Sequence, residues 1–510
     1  MKRVAVNRGL LSGALLLASL TAGLPAAAES GVSAITWQAC PEFSDEDLRE
    51  QNLKEEQFAE FRRLLARTDC GTIRVPQNYD EPRGKQITVA LTRLRASDRK
   101  NRLGSIALNP GGPGGSGYLM PLHLVMRGAK GLDERHDLIG VDPRGVGRST
   151  KVSCPDIPRG TPSPGPITEA HARQAYAAMV DWSEQCVRRD PAFLRQLTTP
   201  NVARDIDRIR AALGERKIGF FGVSWGTWLG AVMRTMYPAR MGRMWLDSVV
   251  PPRSWQDFDT NVQANAADRN FRRMAAWMAE RHDTYGLGTS ERKVVSAVED
   301  MVRRYDREPL SFTDIDLTVD GGLVSRAAGR PSGQWPRMAQ VLKELADATG
   351  PQAPPAVKEA FGRPEGGGGG GDTGTDRTAG RAYHCNEDPT PSTIESSWKD
   401  YQQRLKRYPV TGRTANFVHM CAGWPLPAKT PTVRPTGTSL MLSGHRYETV
   451  TPYEWARAMR AAIGGTLVSI DDDVHGSAAQ VPGCAAKVIA YFETGRRTTT
   501  CPGKQAQQTL

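Results

Sequence analysis

No Cys-x-x-Cys occurs among the eight cysteines, which stand at 40, 70, 154, 186, 385, 421, 484 and 501. That spacing argues against a zinc site or a dithiol redox centre. Beyond the first 28 residues no stretch is apolar enough to span a bilayer, so no stable membrane anchor is expected. Long basic runs are missing too. The formal charge is +12, but acids and bases are interspersed, which suits solubility and not a nucleic-acid groove. There is no internal repeat, and hence no sign of a solenoid or propeller. The glycine run at 111–117 lacks the G-x-G-x-x-G-plus-acid pattern and the G-x-x-x-x-G-K-[ST] pattern, so nucleotide binding is not indicated. No metal or organic cofactor is implied.

What is present begins with an expected leader over residues 1–28. Lys2, Arg3 and Arg8 precede the apolar Gly9–Leu24, and Ala26-Ala27-Ala28 offers a cleavage site before Glu29. No cysteine follows that site, so a lipid anchor is not expected. The three leader bases leave +9 for an exported, extracellular chain. In an oxidising compartment an even cysteine count suggests disulfides, although sequence alone does not choose the connectivity. The spacing leans toward sequential neighbours: Cys40–Cys70, Cys154–Cys186, Cys385–Cys421 and Cys484–Cys501.

The remaining roughly 480 residues exceed one average domain. Asp45–Ala66 reads as a helix, with Phe58, Phe61, Leu64 and Leu65 toward one face. Strands are expected at Thr72–Pro76, Gln86–Leu94, Ser105–Asn109, Asp137–Val141, Lys217–Phe221 and Met244–Leu246. A helix is expected over 199–213, and a Pro-rich loop over 155–166. Strands alternating with helices imply a mostly parallel sheet. After Pro251 helical patterns dominate, and Pro351–Gly380, with six glycines at 366–371, reads as a flexible loop. Strand patterns return at Thr438–Leu442 and Thr466–Ile470, followed by a helix near 484–493. The expected organisation is an α/β core over 29–250 and 436–510, with a mainly helical cap inserted over 251–435.

The core is organised around Gly222-Val223-Ser224-Trp225-Gly226, a G-x-S-x-G between an apolar strand and a helix that ends before Pro238. In that context the turn forces the serine into a strained backbone and presents its hydroxyl at a helix N-terminus, where negative charge is favoured. A hydroxyl needs a base and an orienting acid to act as a nucleophile. The expected chain order is serine, acid, histidine. Of eight histidines, His475 follows the last core strand and precedes Gly476. Glu448 follows the preceding strand and is the only carboxylate before Thr451-Pro452. Asp247, at the end of an earlier strand, is the rival acid, and His445 reads as a neighbour of the site. Asp471, Asp472 and Asp473 lie too near His475 in sequence to orient it easily. Two N–H groups should bind a developing oxyanion, those of Trp225 and Gly112.

Five stretches, Asn109-Pro110-Gly111-Gly112-Pro113-Gly114-Gly115-Ser116-Gly117, Asp142–Gly147, Gly222–Gly226, Thr449–Pro452 and His475-Gly476, span nearly the whole exported chain. With them it resembles a secreted α/β-hydrolase of the tripeptidyl aminopeptidase type, related to the prolyl iminopeptidases. The resemblance implies release of short peptides from substrates with free N-termini, and it supports the sequential disulfides. It also implies that acidic cap side chains bind the substrate ammonium. Cys385-Asn386-Glu387-Asp388 resembles that acidic segment, which nominates Glu387. Two departures stand out: glutamate replaces the usual aspartate at 448, and tryptophan replaces the usual tyrosine at 225 and 228, so a bulkier pocket wall is expected. A secreted esterase or amidase on the same scaffold is the alternative. The intact serine, acid, histidine order argues against a binding protein that has lost catalysis.

Overall fold

Residues 33–158, 166–252, 260–362, 374–390, 393–413 and 420–504 are described by the structure, a computed structural model. The expected leader and the six-glycine run lie outside the described residues, as does most of the Pro-rich loop. The strands, in chain order, are β1 Thr36–Gln38, β2 Thr68–Pro76, β3 Gln86–Leu94, β4 Ser105–Asn109, β5 Asp137–Val141, β6 Ile218–Val223 and β7 Met241–Asp247. They continue as β8 Leu310–Phe312, β9 Leu317–Val319, β10 Leu440–His445, β11 Thr466–Ile470 and β12 Thr500–Cys501. All but β8 and β9 join one sheet, in the order β1-β2-β3-β5-β4-β6-β7-β10-β11-β12. From β5 to β12 the neighbours are parallel, whereas β1, β2 and β3 add an antiparallel edge.

Side chains on successive strand residues enter opposite layers, as a pleated strand requires. Ala107, Phe220 and Leu442 pack on one face with Ile206, Leu229 and Met459. Leu108, Phe221 and Met441 pack on the other with Leu122, Val488 and Tyr491. Both faces are covered, which is why the parallel strands read as short, nearly continuous apolar runs. The C-terminal ends of β4, β5, β6, β7, β10 and β11 consequently line one edge, and each of the five stretches that carry the resemblance lies at or just after one of them. Two surface cavities, of about 610 and 750 Å³, open beside the N-terminal ends of the strands. They lie at the opposite edge, away from where ligands bind in open α/β sheets.

Several expectations need correction. Asp45–Ala66 is two helices, Asp45–Glu50 and Glu55–Leu65. Asn52 between them takes φ 58°, a left-handed conformation that asparagine tolerates and a helix does not. Helix Glu169–Arg189 carries little apolar periodicity in sequence, because its buried residues other than Ala172 fall only at Trp182, Ser183, Cys186 and Val187, in the last two turns. Both ends of the expected loop 351–380 are helical, at Pro355–Phe361 and Arg377–Cys385. The first starts on Pro355, whose fixed φ suits a first turn. The second is capped by the Asp376 side chain, which accepts from Ala379 N at 2.8 Å.

Between β7 and β10 a separate apolar cluster joins Phe271, Met274, Val298, Leu323, Leu342, Val357 and Val410. Ala379, Ala382 and Tyr383 belong instead to a cluster of the sheet. The inserted segment thus has a core of its own, and its later part is built onto the sheet layer. From Ser33 on, the chain forms one compact unit.

Candidate active site

Ser224 sits between β6 and helix Trp225–Met236 with φ 58° and ψ −128°. For a residue with a Cβ that conformation costs on the order of 1–3 kcal/mol, so its surroundings must enforce it. They do. The Ser224 N–H donates to Asp247 O at 3.0 Å, and the Ser224 carbonyl accepts from Thr227 N and Thr227 Oγ1. At Gly222 a Cβ would lie 2.4 Å from Gly226 O, so a side chain there would block the tight turn. Ser224 itself is 6% exposed.

Opposite it lies the glycine turn that follows β4. Gly111 takes φ 94°, and a Cβ there would meet Ser224 Cβ at 2.7 Å, so this backbone presses directly on the Ser224 turn. The Gly111 N–H is used by Asn109 Oδ1 at 2.9 Å. Gly112 N–H and Trp225 N–H, the latter at the first turn of its helix, donate to no protein acceptor among the described residues. Free amides at that position are those a helix N-terminus leaves unpaired. Asp142 holds the turn from behind, accepting from Ser116 Oγ at 2.6 Å and Arg148 N at 2.8 Å. Two residues on, the fully buried Arg144 forks onto Asp205 at 2.7 and 2.8 Å. Its carbonyl accepts from Tyr383 OH at 2.6 Å.

His475 Nδ1 is hydrogen-bonded to Glu448 Oε1. The acid is 1% exposed and the imidazole side chain 33%. Glu448 Oε1 also accepts from Thr451 Oγ1 at 2.7 Å and Thr451 N at 3.1 Å, and Oε2 accepts from Ser248 Oγ at 2.9 Å. Burial would push the imidazole down, but the Glu448 carboxylate, helped by Asp247, more than offsets it and holds His475 above its ordinary value. The loops touch the Ser224 turn directly. Gly476 N donates to Ser248 Oγ at 2.8 Å, and a Cβ on Gly476 would lie 2.9 Å from Val223 Cγ1. Among the described residues no hydrogen bond joins Ser224 Oγ to the ring; such contacts often tighten only with substrate.

Asp247, the rival acid, faces elsewhere. Its Oδ1 accepts from Ser443 Oγ at 2.6 Å and lies 3.0 Å from His445 Nε2. Oδ2 accepts from Ala478 N at 3.0 Å. Glu387 is 5% exposed, and its oxygens accept from Thr199 N, Thr199 Oγ1 and Trp228 Nε1. Burial pushes its carboxyl up to about 7, against the pull of those donors. Trp228 is thus fixed one helical turn beyond Ser224, and Trp225 packs on Tyr383 at 5.1 Å. Both tryptophans are buried. The eight cysteines pair as Cys40–Cys70, Cys154–Cys186, Cys385–Cys421 and Cys484–Cys501. Ser248, which bridges Glu448 and Gly476, went unnoticed in the sequence; a serine after a strand carries no signal of its φ of 53°.

An alpha/beta hydrolase fold family matches residues 104–335, and a TAP-like protein family matches residues 408–501. Over 471 residues the chain is 30% identical to the tripeptidyl aminopeptidase of Streptomyces lividans, a match covering 85% of this chain and 83% of that protein. It is 28% identical over 464 residues to the serine protease Hip1 of Mycobacterium tuberculosis, covering 84% and 85%. It is 27% identical over 455 residues to a carboxylesterase B of the same organism, covering 84% of each.

Proposed function

The chain belongs to the tripeptidyl aminopeptidase-like α/β-hydrolases and is a serine hydrolase, and we propose that it is an exported exopeptidase releasing short peptides, tripeptides foremost, from free N-termini. The observation that carries this reading is the Glu448–His475 pair seated against the strained Ser224 turn. In the proposed reaction Ser224 Oγ attacks the scissile carbonyl while His475 takes its proton. Gly112 and Trp225 N–H groups receive the oxyanion, each donor worth on the order of 10²–10³ in rate. The C–N bond then breaks as His475 returns the proton to the leaving amine. Water, activated by the same ring, cleaves the acyl-enzyme ester. Glu448 fixes the tautomer and stabilises the imidazolium.

Glu387 is the proposed amine ligand. Among the described residues its oxygens meet only neutral donors, so no described cation complements the buried carboxyl, a role that a substrate ammonium would fill. Below about 7 this carboxyl protonates and the attraction fades. Above the α-amine's ordinary value of about 8 the substrate loses its charge. Free-amine peptides should therefore bind best between these limits. Export is supported by the leader expected from the sequence of residues 1–28 and by four disulfides, which suit an oxidising compartment.

The likeness to a carboxylesterase keeps a second reading open, hydrolysis of small esters by the same residues. Turnover of free-amine tripeptidyl, N-acylated tripeptidyl and short acyl ester substrates separates the two. The exopeptidase reading expects cleavage of free-amine peptides at least about 100-fold faster than of N-acylated ones, and loss of turnover in Ser224→Ala. Indifference to the amine would favour the general hydrolase.

A further inference from the structure

Behind His475 lies a second histidine that the proposed reaction does not use. His445, the last residue of β10, is 0% exposed and sits between two carboxylates. Nδ1 lies 2.6 Å from Asp472 Oδ1 and Nε2 lies 3.0 Å from Asp247 Oδ1. Neither carboxylate has room for a proton of its own. Asp247 is met by donors, the Ser443 hydroxyl at 2.6 Å and the N–H groups of Ser248 and Ala478 at 3.0 Å. Asp472 Oδ2 accepts from Ser477 Oγ at 2.7 Å and Lys504 N at 2.8 Å. Hydrogen bonds to both ring nitrogens then require both to carry hydrogen, which makes the ring an imidazolium.

The three residues end three adjacent parallel strands. Asp247 closes β7, His445 closes β10, and Asp472 follows β11. The carboxylates in turn hold the loop that carries His475. Asp472 binds Ser477 Oγ, and Asp247 binds Ala478 N, so residues 472–478 are fastened on both sides of the imidazole. We propose that His445 is a positioning residue: as a doubly protonated ring it ties the ends of β7, β10 and β11 together and fixes the loop that presents His475. The proposal rests on the reading of His475 as the base.

The charge has a second consequence. The charged groups acting on His475 are Glu448 from the loop after β10, Asp247 from β7 and His445 itself. Asp472 is spent on His445, and Asp473 faces Ser332 and, at 3.8 Å, Arg273 from the inserted segment. Asp247 favours a protonated His475, and the His445 cation opposes it. Burial works against the His445 cation, yet Asp247 and Asp472 hold it well above the usual histidine range. His445's own contribution to stability is therefore fully present below the unfolded value of about 6.5 and is lost only as pH rises through the elevated folded value, whereas Asp472, held below its ordinary value by His445 against burial, loses its share as pH falls through its lowered folded value.

Two measurements test this. Ring ¹⁵N NMR of histidine-labelled enzyme should show one histidine with both nitrogens protonated from pH 5 to 9, absent in His445→Gln. A neutral tautomer of His445 at pH 7 would overturn the proposal. This readout needs no activity, so it survives failure of the catalytic reading, which His475→Ala with full turnover would reveal. Steady-state kinetics of His445→Gln should show kcat about tenfold lower with KM within about twofold. The acid limb of its kcat/KM profile should move to higher pH, because Asp247 is no longer opposed. Asp247→Asn combined with His445→Gln should bring that limb back toward wild type. A lower melting temperature with an unmoved limb and unchanged kcat would reduce His445 to a packing residue and sink the idea. If His445→Gln does not fold, the spectrum of the wild type decides.

Discussion

Along the C-terminal edge of the sheet, strand ends bring Ser224, Ser248, Glu448, His475 and the glycine turn into one tight set of contacts. The segment between β7 and β10 touches that set at scattered points, among them the glycine turn, where Asp376 N donates to Gly114 O at 2.8 Å. Ser332 binds Asp473, Arg273 stacks on Tyr447 at 3.6 Å, Tyr383 packs on Trp225, and Glu387 receives Trp228. The first region carries the groups proposed to touch reacting atoms. The second backs the glycine turn and the Trp225 ring, and otherwise touches residues next to the first set in sequence or one helical turn away. The difference teaches where a substitution should be felt. At the sheet edge it should change kcat for every substrate; in the inserted segment it should change KM, and only for substrates that use the contact.

The largest effect belongs to Glu448. Glu448→Gln keeps the shape, removes the charge and favours the wrong tautomer of His475. It should lower kcat about 10³–10⁴-fold with KM little changed, equally for free-amine and N-acylated peptides. Asp247→Asn, whose carboxylate meets His445 instead of His475, should cost about tenfold or less. If Asp247→Asn were the crippling change and Glu448→Gln the mild one, the assignment of the acid would pass to Asp247.

Glu387 probes the other side of the comparison. Glu387→Gln should raise KM for free-amine peptides about 10–100-fold, leave kcat within a few-fold, and leave N-acylated peptides unaffected, since an amide cannot replace the charge opposite an ammonium. The wild-type rise in KM on acidification through about 7 should vanish in this variant. An equal loss for both substrate types would make Glu387 a structural anchor of Trp228 and Thr199, and the comparison would break at that point.

The two regions were unequally legible, for physical reasons. β3, β4, β5 and β11 match their expected spans because each is an apolar-rich run between polar or glycine-rich turns, with β4 and β5 buried at every residue. The serine, acid and histidine were found from chain order and from their positions after strands, and the structure brings Glu448 onto His475. Glu387 was named only through a resemblance. A glutamate after a cysteine in a loop reads as solvated, and its burial arises because Thr199 and Trp228, far apart in sequence, converge on it. The Asp247–His445–Asp472 clamp was hidden for the same reason: three strand ends become neighbours only through the order β7-β10-β11. Within the inserted segment the Pro- and Gly-rich composition masked two helices, because a helix starting on proline and one capped by aspartate carry little apolar periodicity over seven and nine residues.

The smallest effect, and the sharpest test of the boundary between the regions, lies at Asp473. This residue is two positions before His475, yet its carboxylate turns away from the ring. Oδ1 accepts from Ser332 Oγ and Oδ2 from Ser332 N, both at 2.7 Å, with Arg273 3.8 Å away. It is 5% exposed and Ser332 is 4% exposed, so Asp473→Ala would strand a buried N–H and a buried hydroxyl, at a cost of about 1–3 kcal/mol. The melting temperature should fall by about 1–3 °C. Because Asp472 and Asp247 still fasten the loop, His475 should keep its place, and kcat/KM should fall less than about tenfold, by the same factor for both substrate types. Ser332→Ala should reproduce part of the stability loss, and the double variant should be less than additive by about 1 kcal/mol, the signature of a direct pair. A loss of kcat approaching that of Glu448→Gln, without a matching drop in melting temperature, would mean that docking of the inserted segment sets the position of the imidazole. The sheet edge and the segment above it would then be a single catalytic unit, and the division drawn between them would fail.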